Sequence, residues 1–212
     1  SATADADADA TAEIGDGADI VADSVDVIAS RGISNDDDIP GLAANAVDEA
    51  FDAGLGCPSQ SDVGACAYAR GASGALAGAV NATSADADSV GTTLARVGDV
   101  TLSRDRVAVE ASSTTGQYAE ATSLAAGIVA AGANVARTDN TVVTRARLDA
   151  GAVQDTTGGS LGGLGHSVEA TSSNTARGRA IAGSGGVVAG AASTVQTDDH
   201  AVTEARFAAG TD

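Results

Sequence analysis

The residues best placed to do chemistry are acidic. Asp5, Asp7 and Asp9 alternate with alanine, which puts three carboxylates on one side of an extended strand. There they could collect calcium or form a solvated charged face. Asp36, Asp37 and Asp38 pose the same choice as a consecutive run. A calcium-binding roll needs Gly-Gly-x-Gly-x-Asp nonapeptides in series, and Gly15-Asp16-Gly17 is an isolated fragment of one. His166 lies in a glycine-rich turn and His200 in an aspartate-rich one, neither beside a nucleophile-elbow motif. Carboxylates abound, but the aromatics that usually grip sugar in a glycosidase do not. The glycines between 158 and 165 lack the Lys-Ser/Thr of a phosphate loop. These patterns predict no catalytic residues and no cofactor, with calcium the one ion worth naming. Cys57 and Cys66, nine apart, predict a disulfide across a short loop and hence an oxidising setting; two reduced buried thiols are the alternative.

Composition limits what could position such groups. The 212 residues include 49 Ala and 27 Gly but only four aromatics: Phe51, Tyr68, Tyr118 and Phe207. A conventional core is nearly excluded, because large apolar side chains supply most burial energy, roughly 1.5–3 kcal/mol each. Yet 43% of residues are apolar, which is not a disordered composition. Net charge is −18, with 23 Asp and with Arg as the sole basic type, a bias that fits a GC-rich genome or a halophile. Such a chain repels nucleic acid and anionic membranes. No apolar run of about 20 residues is present, so no membrane span is expected. The chain opens in mid-pattern at Ser1, as a processed product or a piece of something longer would.

Self-similarity is the strongest signal. Residues 109–152 align without gaps to 168–211, an offset of 59, with 17 identities in 44 positions. Val109-Glu110-Ala111 matches Val168-Glu169-Ala170, Val143-Thr144 matches Val202-Thr203, and Ala146-Arg147 matches Ala205-Arg206. A weaker copy aligns Gly74–Gly98 with Gly186–Gly210, setting Asp86 against Asp198. A fourth trace, Val25 to Ser30, echoes Val107 to Ser112. Within the copies the period is two: Val142, Thr144, Ala146 and Leu148 alternate with Val143, Arg145 and Arg147, the pattern of a half-buried strand. Gly and Asp/Asn clusters punctuate it as turns. Short strands of small residues in a long repeat predict an all-β fold, a parallel β-helix (β-solenoid) of about nine coils near 20 residues each. In such a stack, order comes from backbone ladders instead of bulky side chains.

The Val-Glu-Ala-Ser/Thr strands, the Gly-rich alanine tracts and the closing Thr/Val/Ala/Gly segments resemble repeats of very large bacterial surface proteins, adhesin-like or autotransporter-like. The likeness covers roughly residues 1–30 and 71–212. It implies an exported, elongated structural protein at the cell surface, built as a parallel β-helix, and it carries over no catalytic residues.

The expected organisation is first coils over 1–30, an insertion over 31–70 and repeats over 71–212. In the insertion, Ile39-Pro40 opens a short amphipathic helix with Leu42, Ala43, Ala46, Val47, Ala50 and Phe51 on one face and Gly54 near its end. Phe51 and Tyr68 could pack the helix and the Cys57–Cys66 loop against the stack. The excursion serves either as a subunit or receptor contact or as a cap on an open coil edge. Threonine pairs such as Thr92-Thr93 and Thr114-Thr115 do not recur as the regular ladder that ice binding would need. The expected function is structural: a subunit or segment of an extracellular filament, sheath or adhesin stalk, with identical subunits stacked end to end. The alternative is an adhesin-type module that binds glycan or a host surface through residues 31–70.

Overall fold

The computed structural model describes residues 1–20, 24–31, 64–102, 106–149 and 166–208. They form twelve strands in chain order: β1 (Ala2–Asp7), β2 (Ala10–Ile14), β3 (Asp19–Ile20), β4 (Val25–Arg31), β5 (Ala65–Gly74), β6 (Gly78–Val97), β7 (Thr101–Leu102), β8 (Val107–Ala126), β9 (Val129–Leu148), β10 (Ser167–Gly185), β11 (Val188–Asp199) and β12 (Val202–Phe207). No helix occurs among the described residues. β6, β8 and β9 each run for 20 residues, about 65 Å at a strand's rise per residue. Alternating small and β-branched residues with no interior proline permit such length.

All pairings are parallel. Sheet I holds β1 and β2, then β6, then β9, then β11 and β12; sheet II holds β4 and β5, then β8, then β10. β3 and β7 form a small pair of their own. The chain alternates between the two sheets and returns each time one strand further along, so each level is a strand of sheet I followed by one of sheet II. Sheet I has four levels and sheet II three among the described residues.

The sheets face each other through small side chains. One cluster joins Val27 and Ala29 of β4, Ala95 and Val97 of β6, Val107, Val109 and Ala111 of β8, and Ala146 and Leu148 of β9. A second is made wholly of alanine: Ala65, Ala67, Ala69, Ala85, Ala87, Ala119, Ala121 and Ala136. The alternation expected from sequence decides the faces. Val107 and Val109 point inward, as do Val142, Thr144, Ala146 and Leu148, all buried.

The registers refine the repeat. Val109 pairs with Val168 and Val129 with Val188, the 59-residue offset read from sequence. Val25–Ser30 pairs residue for residue with Val107–Ser112, as its echo suggested. The upstream copy is corrected by two positions: Gly78 aligns with Val129 and thus Val188, so Asp88, not Asp86, shares a column with Asp198. A two-residue slip preserves which side chains point inward, so alternation alone could not fix it. Coil size is corrected too. Twenty residues make one strand, and a whole 59-residue repeat makes one circuit of both sheets. The end of the expected insertion is regular strand as well: Ala65–Arg70 lie in β5 and pair with Gln117–Thr122. The expected helix, Phe51, Cys57 and Asp36–Asp38 lie outside the described residues.

Gly91 shows how tightly levels meet. Its φ is 138°, a region that side chains avoid. A Cβ there would collide with the Ala8 carbonyl oxygen and with Nη1 of Arg31. Arg31 enters the space between the sheets here, donating from Nη2 to the Ala6 carbonyl at 3.3 Å. Gly91→Ala is expected to cost roughly 2–4 kcal/mol in denaturant titration, whereas Gly190→Ala, with nothing near its Cβ position, stays within about 0.5 kcal/mol.

Candidate functional site

Parallel in-register pairing stacks like positions into columns, and on the outer face of sheet I one column is acidic. Asp5 pairs with Asp88, Asp88 with Asp139 and Asp139 with Asp198, so four levels carry a carboxylate at one position. Neighbouring strands lie about 4.8 Å apart, close enough for like charges to repel strongly. Burial, then the Asp139, Asp5 and Asp86 carboxylates, push Asp88 above the ordinary aspartate range, and Arg137 pulls it back. Arg137 also reaches Asp198 at 3.5 Å.

A second outer column offsets charge. Glu13, Arg96, Arg147 and Arg206 share one register position. Arg96 bonds Glu13 at 2.6 Å and Asp149 at 2.7 Å, tying three levels together. Glu204 accepts from Arg147 at 3.2 Å and pairs with Arg145 at 3.2 Å. These contacts hold Glu204 below the ordinary glutamate range, the Arg147 hydrogen bond first. On sheet II, Tyr118 and Glu120 occupy outward positions yet are buried. The Tyr118 hydroxyl donates to Glu120, Thr122 donates to the same carboxylate at 3.2 Å, and Arg179 on the next level lies 4.0 Å away. Burial, then Glu120, raises the Tyr118 phenol.

The acidic residues singled out in the sequence part company. Asp5 heads the column. Asp9 accepts from the Thr92 amide at 2.7 Å, a backbone contact beside Gly91. Asp7 and Asp9 both favour the charged state of Arg31, against a larger effect of burial. Among the described residues no group of three His, Cys, Asp or Glu side chains is arranged to hold a metal. Cys66 and Tyr68 sit on β5, in register with Tyr118 and Glu120. No described cysteine is free, and the other cysteine, Cys57, lies outside the described residues. His200 follows β11 and donates its amide to the Asn140 carbonyl at 2.8 Å. Sequence reasoning missed Arg31, Glu120 and the full Asp column. The column becomes visible only once the register of β6 is known.

The two ends of the stack differ from its middle. Among the described residues, no further strand lies beside the outer edges of β11 and β12 in sheet I or of β10 in sheet II. Phe207 faces inward yet is 50% exposed, whereas Leu148, one level up in its column, is 1% exposed. Val195 is 49% exposed against 0% for Ala136 above it. Gly178 makes room for Val195, since a Cβ there would run into its side chain. These inward positions are closed on the two middle levels, partly covered at Ala2 and Ile14 on the first, and half exposed at Phe207 and Val195 on the last.

The Asp column gives a pH prediction. A carboxylate whose folded pKa is raised binds its proton more tightly when folded, so its unfavourable contribution is full above the folded pKa and absent below the unfolded value near 4. Asp88→Asn is expected to raise the thermal midpoint at pH 7, with the gain shrinking towards zero as pH falls through 4. An equal gain at all pH values would show that repulsion within the column is not its source.

Comparison with protein-family models, with curated proteins and with solved structures finds no match to this chain.

Proposed function

We propose that this chain is a structural, extracellular protein: a β-solenoid subunit or segment of a cell-surface filament, sheath or stalk, whose levels continue end to end through a second copy. The observation that carries this reading is the last level. Its inward side chains, Phe207 and Val195 above all, are half exposed, although the same columns are closed on the two middle levels by Val97 and Leu148 and by Ala85 and Ala136. The edge groups of β11 and β12 are in the parallel geometry that one more strand would extend.

The register columns name the incoming strand. β1 and β2 form the opposite edge of sheet I. Laid on β11 and β12 in the prevailing register, they set Ile14 on Phe207, Ala12 on Ala205, Glu13 on Arg206 and Ala2 on Val195. Apolar meets apolar, and the charged pair is of opposite sign. One position opposes this, since Asp5 would follow Asp198 and extend the acidic column. A contact between unlike ends does not close on itself, so it generates a fibre. Because sheet I holds one level more than sheet II, the joint is continuous through sheet I and leaves a strand-wide slot beside β10. No enzymatic role, cofactor or nucleic-acid partner is needed by this reading. A Cys57–Cys66 bridge and an oxidising location are consistent with it.

The chain at rising concentration is expected to give unbranched fibres by negative-stain electron microscopy, with a repeat set by the height of one copy. Phe207→Asp places a charge at the joint and spares the interior, since the residue is half exposed. It is expected to keep the far-ultraviolet β-spectrum and to weaken association at least roughly tenfold, the effect of about 1.4 kcal/mol. Wild-type chains that stay monomeric at every concentration would refute end-to-end assembly.

A further inference from the structure

The interior between the sheets holds a polar seam that the assembly reading does not use. Inward positions of the second and third levels carry Ser89 and Thr93 on β6, Gln117 on β8 and Asn140 on β9, each no more than 2% exposed. Among the described residues, both polar atoms of Gln117 lack a hydrogen-bond partner, and so do Ser89 Oγ, Thr93 Oγ1 and Asn140 Oδ1. Such groups are costly when left unpaired, and native interiors satisfy nearly all of them.

Topology brings these orphans together. Ser89 and Asn140 are register partners on adjacent levels of sheet I. Across the gap, β8 and β9 run in opposite directions: Ala125 packs with Ala130 near their shared turn, and Ser113 Oγ lies 2.7 Å from Thr144 Oγ1 further along. Four residues from that bond on each strand stand Gln117 and Asn140. Gln117 therefore faces the Ser89–Asn140 column. Its own neighbours along sheet II are Ala65 and Ala176, whose side chains offer it no polar partner. The apolar clusters flank this band on both sides.

We propose that this seam is a binding site for ordered internal water, centred on Gln117, Ser89 and Asn140. The donor set suits water. Gln117 supplies one N–H₂ donor and one carbonyl acceptor, Asn140 supplies an acceptor, and Ser89 and Thr93 supply hydroxyls that do either. A buried water makes about three such bonds. Asp199 lies a level further on, where it accepts from Asn140 at 2.9 Å, and the Arg31 guanidinium closes the first level from above. The site does not depend on whether copies assemble.

Magnetic relaxation dispersion of oxygen-17 water on the native chain counts long-lived internal waters directly. At least one is expected, and none would overturn the proposal. Gln117→Leu separates the cases further. In a hydrated seam it strips the water of its partners, so the count falls and the thermal midpoint drops. In a dry seam it removes an unpaired buried amide, so the midpoint rises with the count unchanged, which would overturn the site. Ser89→Ala makes the same distinction with a smaller change of volume if the leucine variant does not fold.

Discussion

Parallel, in-register backbone pairing is the constraint on which everything else in this molecule rests. A buried methylene contributes about 0.8 kcal/mol and a net hydrogen bond about 0.5–1.5 kcal/mol. With alanine as the commonest core residue, the ladder contributes at least as much as the side chains do. Three long strands of 20 residues each supply most of that ladder. The side chains follow the backbone: each position inherits the neighbour above and below, whether alanine on alanine in the core or aspartate on aspartate outside.

That inheritance cuts both ways. Columns that stack apolar on apolar, or hydroxyl on amide, are favourable, as where Thr115 donates to Asn174 at 2.7 Å. A column that repeats a charge accumulates repulsion, as Asp88 shows. Arg137, one column over, relieves part of this by reaching Asp198, and elsewhere Arg96 meets Glu13 in its own column and Asp149 on the next level. Exposed pairs of this kind add little individually, but a network across levels resists sliding of one strand past the next. Register is the quantity they protect, because a slip of one residue would turn every interior alanine outward.

Much of this was legible in the residues themselves. The period of two in Val142–Leu148 gave the inward face correctly, and the dispersed identities at an offset of 59 gave the register of β10 on β8 and of β11 on β9. Small side chains announced an interior ordered by backbone. Other features were hidden for physical reasons. The register of β6 was ambiguous by two because two is the strand's own period. The reach of one level was underestimated because nothing in an alternating pattern marks where a long strand should stop. Ala65–Arg70 of β5 fall in the expected insertion because their residues match no other copy, though the backbone pairs them with β8 like the rest of the strand. Arg31 and Glu120 were missed because a charge that reaches inside, or is buried on an outer face, has no signature apart from its tertiary surroundings.

The great length of the strands has a mechanical corollary. Two facing sheets are about 10 Å apart, and each of the three longest strands extends about 65 Å. In cross-section the body is a slat, several times broader than it is thick. For a solid of that outline, bending resistance grows with the cube of the dimension along the bend and linearly with the other, so flexing across the thin axis is easier by the square of their ratio, a factor on the order of forty. A structure built by adding such slats would curl readily one way, hold stiff the other, and coil like tape instead of kinking like thread.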